Sequence, residues 1–160
     1  MAFTMKTSGM DELVKRLEKL GEKAQGVASQ ALYEGAGVMA DSVSQAVKSI
    51  ATEPFRYGTS ANRRKPSPEE KAILVNAKKG VSKFKKTPNE VYTNVGLNNS
   101  GYADLNGRTV PIPLIANAIN SGTSFMQKQP FFRKATSKKN AAIAKIESEL
   151  EKRLDELSLD

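Results

Sequence analysis

Apolar residues recur in steps of three and four along the first third of the chain. Met10, Leu13, Val14, Leu17, Leu20, Ala24, Val27, Ala28, Ala31 and Leu32 fall on one helical face, and Val38, Met39, Val43, Ala46, Val47 and Ile50 continue it. Ser8 is placed to cap the start, with Asp11 and Glu12 at the positive end of the helix dipole. Unbroken, such a helix would span roughly 60 Å, more than a small domain is wide. Gly21, Gly35 and Gly37 interrupt the stripe, so the pattern predicts two helices, or one that is bent or projects beyond the core. The small residues Ala28, Ala31, Gly35, Ala36 and Ala40 would let a second backbone approach closely.

The helical period is lost from Thr52 to Pro68, a connector holding Pro54, Gly58, Pro66 and the cluster Arg63-Arg64-Lys65. Ser67-Pro68-Glu69-Glu70 then reads as a helix start, with a cap, a proline in the first turn and early carboxylates. A short helix through Ala77 follows. Lys78–Lys86 fits only a weak edge strand, whereas Val91, Thr93, Val95 and Leu97 alternate on one face of a better strand over Glu90–Leu97. Asn98-Asn99-Ser100-Gly101 and Asn106-Gly107 are turn signals, which predicts a hairpin or meander. Pro111-Ile112-Pro113 leads into a short apolar helix over Leu114–Ile119, Asn120–Gln129 is a loop, and Pro130-Phe131-Phe132 precedes a last amphipathic helix with the stripe Ile143, Ile146, Leu150, Leu154, Leu157. The expected fold is α+β: a long N-terminal helix, a small antiparallel sheet and a C-terminal amphipathic helix. The 160 residues suit one domain, with a helical part (1–51), a basic connector and sheet (52–110), and a loop with the C-terminal helix (111–160).

Composition narrows the chemistry. The chain has no cysteine, histidine or tryptophan. That excludes disulfides and thiolate metal sites, and it removes the commonest general base and zinc ligand. Neither a phosphate-binding glycine loop, a nucleophile elbow nor a metal-ligand spacing is present, so the reading is of a non-enzyme with no cofactor, metal or small-molecule substrate. Glu147, Glu149, Glu151, Asp155 and Glu156 alternate with Lys145, Lys152 and Arg153, which suits a salt-bridged solvent face. No apolar run reaches membrane-spanning length and the N-terminus lacks the apolar core of a signal peptide, so a soluble protein made in the cytoplasm is expected.

The net charge is +8. Residues 1–58 are neutral, whereas residues 59–110 carry ten basic and four acidic residues. This local excess makes Arg63, Arg64, Lys65, Lys78, Lys79, Lys83, Lys85 and Lys86 the candidates for contact with DNA or an acidic partner, against the plainer reading of a solvated edge. Phosphate contact would be independent of sequence and sensitive to salt, and a small basic DNA-binding protein is the alternative function.

Asn120, Ser121, Gly122 and Thr123, followed by Gln129, Pro130, Phe131 and Phe132, join a flexible polar loop to a proline-fixed aromatic pair. The two phenylalanines suit a core plug, and the loop suits a contact with a neighbouring subunit. Gly9-Met10-Asp11-Glu12-Leu13 with Leu17-Glu18-Lys19-Leu20, together with Ala118-Ile119-Asn120-Ser121-Gly122-Thr123 and Gln129-Pro130-Phe131-Phe132-Arg133-Lys134-Ala135, resembles the neck and tail-completion proteins of long-tailed bacteriophages and prophages. The resemblance covers both ends of the chain, about half its length. It implies a structural virion protein at the head–tail junction, assembled in the host cytoplasm as a sixfold homo-oligomeric ring. It further implies contact with head-completion and tail-terminator or tail-tube proteins and transient contact with the genome.

Overall fold

A computed structural model describes residues 2–4, 15–16, 18–77, 79–83, 85–87, 90–97 and 101–158. Its axis is helix α1, Glu22–Lys48. The helix starts after Gly21, whose φ of 57° lies in the left-handed region, and residues 15, 16, 18 and 19 are helical on the far side of that glycine. The expected interruption therefore falls at Gly21, and Gly35 and Gly37 sit inside an unbroken helix. The Ser8 cap and the apolar positions Met10, Leu13, Val14 and Leu17 lie outside the described residues.

Helix α1 buries one face along its length, and two clusters divide it. Towards its start, Val27, Ala31, Leu32, Ala36 and Met39 pack with Val95, Ala142, Ile146 and Leu150. Towards its end, Val43, Ala46, Val47 and Ile50 pack with residues that include Leu74, Ile115, Ile119, Met126, Phe131 and Phe132. The C-terminal stripe closes the first cluster. Helix α4, Phe131–Thr136, bends at Ser137-Lys138 into α5, Lys139–Ser158, which runs antiparallel to α1. Ser42 Oγ donates to the Ala135 carbonyl (2.9 Å), and Arg153 bonds Gln30 across the two long helices. Along α5, Lys145 binds Glu149 at 2.8 Å and holds that carboxylate below its ordinary range.

Between α1 and α4 the chain forms α2, Pro68–Asn76, and α3, Ile112–Ser121. Strand β1 is Ala2–Thr4, β2 Lys79–Val81, β3 Lys85–Thr87, β4 Glu90–Tyr92, β5 Asn94–Leu97, β6 Tyr102–Leu105 and β7 Arg108–Pro111. They form three small antiparallel sheets, ordered β1-β5-β2, β3-β4 and β6-β7, rather than one meander. The strand expected over Glu90–Leu97 is cut at Thr93. That residue is fully buried, its Oγ1 donates to the Ser82 carbonyl (2.7 Å), and the Asn94 N–H is taken by Ser82 Oγ (2.9 Å). These side-chain bonds replace the ladder at a corner where the chain passes from one sheet to the next. The Asn106-Gly107 turn has φ of 54° and 76°, both positive as a two-residue hairpin requires. Of the Asn98-Asn99-Ser100-Gly101 turn signal, residues 98–100 lie outside the described residues. The whole is an α+β fold, as the pattern predicts. Among the described residues no helix is long and apolar enough to cross a membrane.

Candidate interaction surface

The two stretches singled out separately in the sequence, the basic connector and the glycine–threonine loop, lie side by side. Arg64 N–H donates to the Phe125 carbonyl (2.9 Å), and Gln127 N–H donates to the Arg64 carbonyl (2.7 Å), so Arg64 and Met126 form a parallel bridge. Gln127 Nε2 adds a bond to the Arg63 carbonyl (2.9 Å). The approach is close enough that a β-carbon on Gly58 would overlap the Phe125 carbonyl oxygen, which accounts for glycine there.

Each loop is also fixed within itself. Gly122, with φ of 74°, ends α3, and its N–H returns to the Ala118 carbonyl. Thr123 Oγ1 accepts from the N–H groups of Phe125 (3.3 Å) and Met126 (3.0 Å), and Thr123 N–H donates to the Met126 carbonyl (3.0 Å). Gln129 N–H donates to the Ile119 carbonyl, while Asn120 Oδ1 accepts from Phe132 N–H and satisfies one open donor at the start of α4. On the other loop, Glu53 N–H donates to the Pro66 carbonyl and Glu53 Oε1 accepts from Lys65 N–H, closing the neck of a surface loop over 53–66.

A buried ion pair anchors this loop. The Arg64 guanidinium donates to both oxygens of Glu70 at 2.6 Å, with both side chains under a tenth exposed. Glu70 Oε2 also accepts from Ser67 N–H, and Ser67 Oγ accepts from Glu70 N–H: the capping box of α2. The hydrogen bond that Arg64 donates to Glu70 raises the Arg64 pKa, with burial working in the opposite direction. Arg64 lies over the Phe55 ring, 5.1 Å from its centroid. The reading of Arg63-Arg64-Lys65 as one surface cluster is corrected accordingly. Arg63 is exposed, Lys65 half-buried, and Arg64 belongs to the interior.

What this framework presents to solvent is aromatic. Tyr57 is 88% exposed, Phe55 49% and Phe125 48%, and the rings of Phe55 and Tyr57 meet edge to face at 5.5 Å. None of the three was singled out from the sequence; the signal was an aromatic pair flanking Arg56 in a loop bounded by prolines. Of the residues that were singled out, Phe131 and Phe132 are buried in the core, with Asn120, Gln129 and Pro130 half-buried as anchors and Gly122 and Thr123 shaping the turn. Ser121 is exposed. The lysine-rich segment is elsewhere. Lys79 is in β2 and Lys86 in β3, Lys83 and Lys85 are exposed, and Lys78 lies outside the described residues. That segment adjoins the first core cluster through Val81, whereas the aromatic surface adjoins the second through Met126.

The described residues contain no group of three or more His, Cys, Asp or Glu that could hold a metal ion. Comparison with protein-family models, curated proteins and solved structures gives no match for this chain.

Proposed function

We propose that this chain is a structural protein of a tailed-phage or prophage virion, a subunit of the ring that completes or joins the tail at the head–tail junction. The observation that carries the reading is the pair of laced loops. Two segments far apart in sequence are zipped together by main-chain bonds, one of them is anchored to α2 by a buried ion pair, and the product is an ordered aromatic surface facing solvent. Exposed tyrosine and phenylalanine on a fixed backbone suit protein–protein contact, because their large area is ordered before binding and costs little entropy to use. The resemblance of Ala118–Thr123 and Gln129–Ala135 to the neck proteins points the same way, since these residues build one of the two loops. The other resembling stretch, Gly9–Leu13, lies outside the described residues. In this role the protein acts by shape and contacts copies of itself and the adjacent head-completion and tail proteins.

The test is deletion of the gene from the phage or prophage that encodes it. Lysates of the deletion contain filled heads and separate tails by negative-stain microscopy, and supplying the protein in trans restores joined particles. Normal joined virions in the deletion lysate overturn the reading.

A further inference from the structure

The aromatic surface carries an excess of charge of one sign. Residues 54–66 and 120–130, which supply the two laced loops, contain no aspartate or glutamate and five cations: Arg56, Arg63, Arg64, Lys65 and Lys128. Two of these are compensated from outside the segments. Arg56 Nε binds Glu53 at 2.9 Å, and Arg64 is taken by the buried carboxylate of Glu70. Among the described residues no carboxylate pairs with the other three. The seam between the loops brings those three into one region. The Arg63 carbonyl accepts from Gln127 Nε2, next in the chain to Lys128, and Lys65 follows the bridge between Arg64 and Met126. Arg63 and Lys128 are exposed and Lys65 is half-buried, on the same framework that presents Phe55, Tyr57 and Phe125. The backbone thus holds uncompensated cations beside exposed rings.

We infer that the occupant of this surface is an acidic face of a different virion protein, with apolar side chains at its centre. Its carboxylates meet Arg63, Lys65 and Lys128, and its apolar groups cover Phe55, Tyr57 and Phe125. Opposite charge beside a desolvated aromatic centre selects the partner and fixes its orientation. The contact runs through side chains, because the backbone here is already engaged. The carbonyls of Phe125, Asn62 and Arg63 accept from Arg64 N–H, Thr59 N–H and Gln127 Nε2, while the N–H groups of Phe125 and Lys65 donate to Thr123 and Glu53. A strand added by the partner finds these groups taken. A second copy of the chain fits less well, since it brings the same net charge of +8 to a face that is positive. Nucleic acid also fits less well. The Arg64 guanidinium lies over the face of Phe55, and Tyr57 stands at 75° to that ring, so the pair offers no parallel faces on which successive bases stack.

The inference rests on the proposed virion role, and its test separates the two. Virions are assembled with the photocrosslinker p-benzoylphenylalanine in place of Tyr57 or, on the other loop, of Ser124, which is exposed beside Phe125. They are irradiated, and the adducts are identified by mass spectrometry. The expected adduct joins this chain to a different virion protein, in a segment where aspartate and glutamate outnumber lysine and arginine. An adduct to a second copy of the chain, a nuclease-sensitive adduct to DNA, or an adduct in a basic segment overturns the inference and leaves the virion role standing. So do joined virions that contain the probe and give no adduct. Absence of the chain from joined virions removes the virion role and the inference together. Charge variants give an independent reading. Reversing Arg63, Lys65 and Lys128 to glutamate lowers the yield of joined particles at least about tenfold, whereas the Arg63→Lys, Lys65→Arg, Lys128→Arg variant, which keeps the charge, stays within about twofold of the parent. An unchanged yield in the reversed variant, or an equal loss in both while they remain folded by circular dichroism, overturns the assignment. Where the reversed variant does not fold, the adduct decides.

Discussion

At the scale of single residues, Glu70 holds the most together. Its carboxylate closes the capping box of α2, neutralises a buried arginine, and through that arginine supports the loop carrying Phe55 and Tyr57. Removing one member of a buried pair strands the other charge without solvent, which typically costs about 3–5 kcal/mol. Glu70→Ala should therefore destabilise the fold by about that amount in urea denaturation, while Arg63→Ala, one residue from Arg64 but exposed, should change stability by less than about 0.5 kcal/mol. Replacing Arg64 and Glu70 together by methionine should recover much of the loss, because no lone charge is then left inside. Equal effects of Glu70→Ala and Arg63→Ala would show that the pair is not buried in solution. Part of this node is legible in the sequence. Ser67-Pro68-Glu69-Glu70 identifies the cap because all its partners lie within three residues. The burial of Arg64 is hidden, since it sits in a run of three cations and its environment is supplied by Phe125–Gln127, some sixty positions away.

Elements differ in the same way. The long helices follow from their period, but the short helix Phe131–Thr136 and its bend into α5 do not, since the pattern has Pro130-Phe131-Phe132 only leading into the last helix. The strands are three or four residues long, too short for alternation to speak, and β1 pairs with β5 about ninety residues later. Only the Asn106-Gly107 hairpin, closed by local backbone angles, could be placed with its turn. Glycines in α1 show where pattern reading stops: Gly35 and Gly37 look alike in the sequence but differ in what surrounds them. Gly35→Ala would drive a β-carbon into Ile146 and against the Ala142 carbonyl, and overpacking of this kind costs about 1–3 kcal/mol. Gly37→Ala meets open space, so it should stabilise the isolated chain by about 0.5–1 kcal/mol. Thermal melts of the two variants should move in opposite directions. A fall in both would mean that Gly37 is packed within its own chain.

For the molecule as a whole, the division of the core along α1 sets where it opens. The cluster around Val43–Ile50 gathers Phe131, Phe132, Leu74, Ile115, Ile119 and Met126, whereas the smaller cluster around Val27–Met39 closes on Val95, Ile146 and Leu150. Each fully buried large apolar side chain contributes about 1.5–3 kcal/mol relative to exposure. Local opening of the second half of α1 must therefore expose at least one such side chain more than opening of the first half, and one is worth about a tenfold difference in population. Hydrogen exchange followed by mass spectrometry should show amides of Val43–Lys48 exchanging at least about tenfold more slowly than those of Val27–Ala31. Equal rates would mean that the two clusters open as one unit. The asymmetry has a functional side. The aromatic loops hang from the stable end, through Met126 in its core and the Gln129–Ile119 bond, so a partner would meet a surface already held in place.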